Sequence, residues 1–97
     1  VAIVEVISES DSDRGWAFVA QVIDDAGHLR RHELRLDWSD YNHWSRDGSA
    51  EPAAVAEAVL HFLYERLGHE DAPLRFNAAS LRRRWPDTDE AIPRRLG

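Results

Sequence analysis

One stretch of the chain, residues 49–68, is long and periodic enough to predict a helix with both ends defined. Ser49 is a suitable N-cap, and Pro52 falls in the first turn, where a missing backbone N–H is tolerated. Gly68 follows the last periodic residue, a common place for glycine at the end of a helix. The apolar positions form two adjacent rows, which together comprise Val55, Ala56, Val59, Leu60, Phe62, Leu63 and Leu67. A stripe this wide predicts the core helix of a small domain, with partners on two sides.

The composition limits the class of protein. With 97 residues, of which 43% are hydrophobic, the chain is large enough for a single domain, residues 1–97, with one core. It contains no cysteine, which excludes disulfides, thiolate metal sites and cysteine nucleophiles. No apolar run approaches the roughly 20 residues that span a bilayer, and the first residues lack the basic flank of a signal peptide. We therefore expect a cytoplasmic protein with no membrane partner.

Three strands are predicted before the long helix. Residues 1–8 are rich in valine and isoleucine, and a polar loop at residues 9–14 follows. In residues 15–24 the large apolar side chains recur at every second position. A turn with a glycine at residues 24–27 leads into residues 28–37, where one face is apolar and the other is charged. The charged face indicates that this third strand lies at an edge of the sheet.

Shorter helices are predicted before and after the long helix. One begins after its N-cap, Asp37, with Asp40 in the position that a capping box gives to glutamate. Residues 74–76 are extended, a helix follows over residues 78–85, and a last helical turn lies near residues 89–95.

These elements predict an α+β fold. The expected arrangement is a three-stranded antiparallel meander followed by a short helix, one long core helix and one or two short C-terminal helices on one sheet face. The residues expected in the core are Trp16, Phe18, Val22, Leu34, Leu36, Val59, Phe62, Leu63, Phe76, Leu81 and Trp85.

The aromatic residues Trp38, Tyr41 and Trp44 of the first short helix are candidates for a protein-binding surface. Tryptophan and tyrosine contribute a large share of the energy at protein interfaces. The alternative is that these rings complete the core of a small domain. We expect a non-enzymatic interaction module or homo-oligomer, which binds another protein or itself.

A second hypothesis is nucleic-acid binding through Arg82, Arg83 and Arg84, with the neighbouring Trp85 stacked on a base. The net charge of −6 opposes it, although residues 74–97 carry six arginines and only three acids. Consecutive arginines on a helix also spread over roughly 200°, so the three cannot face one ligand. We therefore expect nucleic acid to be a less suitable partner than protein.

Metal and catalytic sites have weaker support. His28 and His32 lie about 13 Å apart on a strand that rises roughly 3.3 Å per residue, too far to bind one ion. His61 lies at helical spacing from Glu57 and Glu65 and could bind a metal weakly with either of them. The simpler interpretation is that the three residues form an exposed polar row. No recognised nucleophile, phosphate-binding or metalloprotease motif is present. We expect no catalysis, no cofactor and no tightly bound metal, with a weak metal-binding or enzymatic role as the last alternative.

From His32 to Ile92 the pattern resembles a family of small, uncharacterised bacterial proteins. The shared features are a strand, a short helix with tyrosine, a glycine loop, an apolar helix and a closing aromatic–proline–acid motif. They fall on Leu34, Leu36, Tyr41, Gly48, Phe62, Leu63, Glu65, Arg66, Phe76, Asn77, Leu81, Trp85, Pro86 and Asp87. The resemblance implies a common α+β fold and implies nothing about catalysis.

Overall fold

The computed structural model describes residues 2–96, which form an α+β fold as predicted. Its strands are β1 (Ile3–Ser12), β2 (Gly15–Ile23), β3 (Leu29–Asp37) and β4 (Arg75–Asn77). Its helices are α1 (Trp38–Trp44), α2 (Pro52–Asp71), α3 (Ala79–Arg84) and α4 (Thr88–Arg95). None of the helices in this described part of the chain is both long and apolar enough to cross a membrane.

The four strands form one sheet in the order β1-β2-β3-β4. The first three are antiparallel, as predicted, and β4 adds to β3 in the parallel direction. The predicted edge position of β3 is therefore wrong, because Glu33, Leu34 and Arg35 pair with β4. A strand of three residues has too little alternation for its pairing to be visible in the sequence.

The first strand is longer than predicted. Residues 9–12 were expected in a loop because they are polar, but they pair with the first residues of β2. Backbone hydrogen bonds hold them in the sheet although their side chains are largely exposed. Between Val6 and Ser8 the register shifts by one residue, which places a bulge at Ile7.

The core lies between one sheet face and the helices, chiefly α2. Every residue predicted for it is either buried or packed against it, with Trp16, Phe76 and Trp85 only partly buried. Five further large side chains that are fully buried are absent from that list: Val55 and Leu60 from the apolar stripe of α2, and His32, Trp44 and Ile92. Trp44 and Ile92 come from α1 and α4, whose short lengths give little periodic signal.

The start of α2 differs from the prediction that Ser49 is its N-cap. Helical geometry begins at Pro52, and Glu51 is the N-cap residue. Ser49 instead donates through its N–H and its hydroxyl to Oδ1 of Asp47, at 3.0 and 2.7 Å. Serine often forms local hydrogen bonds instead of taking part in a helix, and Ser49 does so here.

The sequence predicted that α2 ends at Gly68, whereas the helix extends to Asp71 with a break at this glycine. Gly68 has a φ of +76° and a ψ of 178°, a combination that essentially only glycine adopts. The chain resumes a helical path after it as far as Asp71. The kink at Gly68 turns His69 toward the hairpin that joins β2 to β3, where its ring lies 5.2 Å from that of His28.

Candidate functional site

The three aromatic residues of α1 do not form one surface. Trp44 is only 2% exposed, and its indole N–H donates to Oδ1 of Asp89 at 2.9 Å. Tyr41 is partly buried with its ring 5.1 Å from that of Trp16. Trp38 alone is open to solvent, at 53%. The prediction of a three-ring protein-binding patch is therefore wrong, because one ring is core and a second is packed on the sheet.

The three arginines of α3 also have different roles. Arg82 donates from Nη1 to Oδ1 of Asp40 at 2.9 Å and from Nη2 to Oδ2 of Asp89 at 3.2 Å. The hydrogen bond to Asp89, followed in size by that to Asp40, raises the pKa of Arg82. Arg83 and Arg84 are exposed, with the guanidinium of Arg84 4.7 Å from the ring centroid of Trp85. Arg82 thus joins helices to each other, and the three side chains spread as the helical geometry predicts.

Asp40 also differs from its prediction. It was expected to take part in a capping box, but the N-cap Asp37 makes no side-chain cap bond. The carboxylate of Asp40 is instead buried and paired with Arg82. The partner lies 42 residues away in the sequence, so local pattern alone could not reveal the pair.

The outer edge of β1 is an open strand edge. Within residues 2–96, β2 is the strand that pairs with β1, and the sheet ends there. Its side chains alternate between the partly buried Val4 and Val6 and the exposed Ile3 and Glu5. An open edge has unpaired backbone N–H and C=O groups along its length, and these can accept another strand.

The surface around this edge is both apolar and acidic. Ile3, Ile23 and Leu29 pair in register across three strands and are 64%, 37% and 58% exposed. They form an apolar row across the outer sheet face, the face away from the helices. Residues 1–13 contain four acids and no arginine, lysine or histidine. The edge and its surroundings therefore favour a partner that is apolar and basic.

A cluster of titratable groups lies at the end of the sheet where β2 turns into β3. Oδ1 of Asp24 accepts hydrogen bonds from the backbone N–H of Ala26 at 3.0 Å and of His28 at 2.8 Å. Its other oxygen, Oδ2, lies 3.1 Å from Nδ1 of His28 and 3.6 Å from Nδ1 of His69. Partial burial raises the pKa of Asp24, but the bonds from His28 and the charge of both imidazoles lower it more. The carboxylate is therefore ionised at neutral pH.

This cluster contains the groups that could hold a metal ion. In the described residues, Asp24, His28 and His69 form the one set of three whose potential ligand atoms all lie within 4.8 Å of each other. The sequence suggested His61 as a ligand together with Glu57 or Glu65. Among the described residues His61 does not belong to a set of three possible ligands, and Glu65 pairs with Arg95. This group was not predicted, because His69 is remote from the other two residues in the sequence. The only local signal was an aspartate and a histidine four residues apart around a glycine turn.

A buried histidine lies beside this cluster. Nδ1 of His32 is 2.8 Å from the carbonyl oxygen of Pro73, which can only accept, so Nδ1 carries the proton. Nε2 is then the acceptor for the hydroxyl of Tyr64, at 2.6 Å. Burial lowers the pKa of His32, the bond to Pro73 opposes this, and the charges of Arg30 and His69 lower it further. His32 is therefore neutral and joins β3 to the end of α2.

No protein-family model matches the chain, and no curated protein or solved structure matches it either. The resemblance to a family of small bacterial proteins thus stays a prediction.

Proposed function

We propose that the protein is a non-enzymatic interaction module that binds an extended, basic and apolar segment of another protein along the open edge of β1. The segment adds to the sheet as a further strand, so that main-chain hydrogen bonds supply affinity and alternate side chains supply specificity. The observation that carries the proposal is the combination of an unpaired edge with exposed isoleucine and acidic side chains. The proposal keeps the cytoplasmic setting expected from the composition.

The side-chain pattern of β1 defines the partner. On an added strand, residues beside Ile3 can bury apolar surface, while a residue beside Glu5 is best positively charged. Beyond the bulge at Ile7, Glu9 and Asp11 are also acidic, but they pair with Phe18 and Trp16 and so lie on the opposite sheet face from Glu5. Arginine suits these positions, because its long aliphatic stem covers apolar surface and its guanidinium pairs with carboxylates.

The same charges favour a different protein over a second copy. Pairing two β1 strands brings the acidic side chains of both into one small interface, and like charges across an interface are unfavourable. The bulge at Ile7 also interrupts regular pairing, a device that protects edges from uncontrolled association. The edge therefore opposes self-association more than it opposes a basic segment.

The test is a titration of the protein with a ten-residue peptide in which pairs of valines alternate with pairs of arginines, so that each face of the added strand carries both residue types, followed by ¹H–¹⁵N NMR. We expect shifts at the amides of β1 and an affinity that falls with added salt. A peptide with glutamate in place of arginine is expected to bind far more weakly. A peptide of the same composition in scrambled order separates strand pairing from charge attraction alone.

Charge-reversed variants provide the matched controls. The double variant Glu5→Arg, Glu9→Arg should lose binding, whereas Glu57→Arg, on the exposed face of α2, should retain it. Shifts that centre on Trp38 instead would refute the β1 edge as the binding site. Concentration-dependent dimerisation with the same β1 amides shifted would replace the proposed partner by a second copy of the chain.

A further inference from the structure

We infer that Asp24, His28 and His69 form a binding site for a divalent transition metal ion, for which Zn²⁺ is the reference ion. Two imidazoles and a carboxylate are a donor set that zinc accepts readily, with a fourth position left for water or another ligand. The site is independent of the β1 edge and revises the expectation that the protein binds no metal tightly.

The carboxylate of Asp24 is held in place by hydrogen bonds to Oδ1, which leave Oδ2 available for an ion. The two backbone N–H groups that bind Oδ1 of Asp24 fix the carboxylate within the β2–β3 turn. Oδ2 then faces the two imidazoles. An anchored carboxylate loses little freedom when it binds an ion, which favours affinity.

The second ligand, His69, is held from the opposite side. The glycine conformation at Gly68 directs the chain toward the turn, and the guanidinium of Arg30 donates to the carbonyl oxygen of His69. Nδ1 of His69 is buried and has no hydrogen-bond partner among residues 2–96. A buried nitrogen without a partner is uncommon, and a metal ion would satisfy it.

Two of the three distances between ligand atoms already fit an ion, and the third, between the two imidazoles, lies within 4.8 Å. With zinc–nitrogen bonds of about 2.0–2.1 Å, ligand atoms at the corners of a tetrahedron lie about 3.3 Å apart. Oδ2 of Asp24 already lies 3.1 and 3.6 Å from the two ring nitrogens. The side chain of His28 is 66% exposed, so it can rotate toward the ion without disturbing the core.

The surroundings of the cluster also favour a cation. Glu70 and Asp71 line the same open groove as the three ligands, and Arg30 is the one arginine among the lining residues. The balance of charge in the groove is therefore negative, which raises the local concentration of cations. The groove is open to solvent, so an ion can enter and a fourth ligand can reach it.

A bound ion would link two parts of the fold. Asp24 and His28 belong to the hairpin between β2 and β3, whereas His69 belongs to the end of α2. Binding to the folded state alone raises its stability. Metal binding is therefore expected to raise the melting temperature and to protect the end of α2 from local unfolding.

The experiment is isothermal titration of tag-free protein with Zn²⁺, and separately with Mg²⁺, at pH 7.5. We expect one Zn²⁺ per chain and no measurable Mg²⁺ binding, because Mg²⁺ prefers oxygen ligands. His28→Ala, His69→Ala and Asp24→Asn should each weaken zinc binding about tenfold or more. Asp24→Asn retains an oxygen that can accept the two backbone N–H groups, so the turn is preserved.

His43→Ala is the matched control. Nε2 of His43 lies 3.1 Å from Oδ2 of Asp89, so this histidine also faces a carboxylate, but the described part of the chain supplies no third ligand there. Its zinc affinity should equal that of the unmodified chain. The exposed His28 can be replaced without unfolding, and its ring proton resonances should shift on zinc addition. An absence of saturable zinc binding, or binding that persists in the His28→Ala, His69→Ala double variant, overturns the inference.

Discussion

At the scale of single residues, Arg82 pairs with two carboxylates, and that of Asp40 is buried. The side chain of Asp40 is 3% exposed, and within the described residues its Oδ2 has no hydrogen-bond partner. The ion pair with Arg82 therefore offsets the cost of burying this carboxylate. We expect Arg82→Ala to lower the free energy of unfolding by about 3 kcal/mol, because it leaves a buried charge unpaired. Urea denaturation measures this change.

Two variants make the test of Arg82 specific. Arg83 is exposed on the same helix, so Arg83→Ala should change stability by about 0.5 kcal/mol or less. Adding Asp40→Asn to Arg82→Ala should recover part of the loss, because the unpaired charge is then absent. Equal stability of Arg82→Ala and Arg83→Ala would show that the Asp40 carboxylate does not depend on Arg82.

At the scale of elements, the position of His69, a ligand of the proposed zinc site, depends on the break in α2 at Gly68. The φ of +76° and ψ of 178° at Gly68 lie outside the left-handed helical region as well as the regions open to other residues. Gly68→Ala should therefore lower the free energy of unfolding by about 1–3 kcal/mol. Asparagine tolerates the left-handed helical region but not this ψ, so Gly68→Asn should be equally destabilising. A nearly neutral Gly68→Asn in urea denaturation would contradict this account.

The elements also show where sequence patterns carry structural information. Alternation in β2 and the double stripe of α2 each extend over enough residues to predict the strand, the helix and most of the core. Local pattern failed for residues 9–12, and it predicted the extended conformation of β4 but not its pairing with β3. It failed as well at Trp44, because one turn of a short helix does not determine which ring faces inward. Seven residues of α1 provide too few repeats for that choice.

At the scale of the whole molecule, the candidate sites depend on contacts between distant parts of the chain. Asp24 and His28 are near each other by sequence, but His69 joins them only after α2 packs on the sheet and Gly68 turns the chain. The acidic composition of residues 1–13 was visible in the sequence, whereas the open edge of β1 depended on which strand ended the sheet. Both sites are therefore products of tertiary structure.

The pH dependence of global stability tests the packing of the sheet against α2 through His32. In the unfolded chain this histidine has its ordinary pKa of 6.5, whereas burial lowers the pKa of His32 in the folded protein. As the pH falls through 6.5, the unfolded state takes up a proton that the folded state does not, so the free energy of unfolding decreases. The decrease continues until the lower folded pKa of His32 is reached and has a limiting slope of about 1.4 kcal/mol per pH unit.

Denaturation by urea at several pH values above 4.5, with a chelator present to remove metal, measures this slope. The range avoids the carboxylates of Asp24, Asp47 and Asp89, whose lowered pKa values make their contribution to stability fall only in stronger acid. His32→Gln should flatten the slope whatever its effect on absolute stability, while His43→Ala should leave the slope contributed by His32 in place. Identical slopes for His32→Gln and the unmodified chain would mean that His32 takes up its proton equally well in the folded state. The hydrogen bonds to Pro73 and Tyr64 would then not hold it neutral.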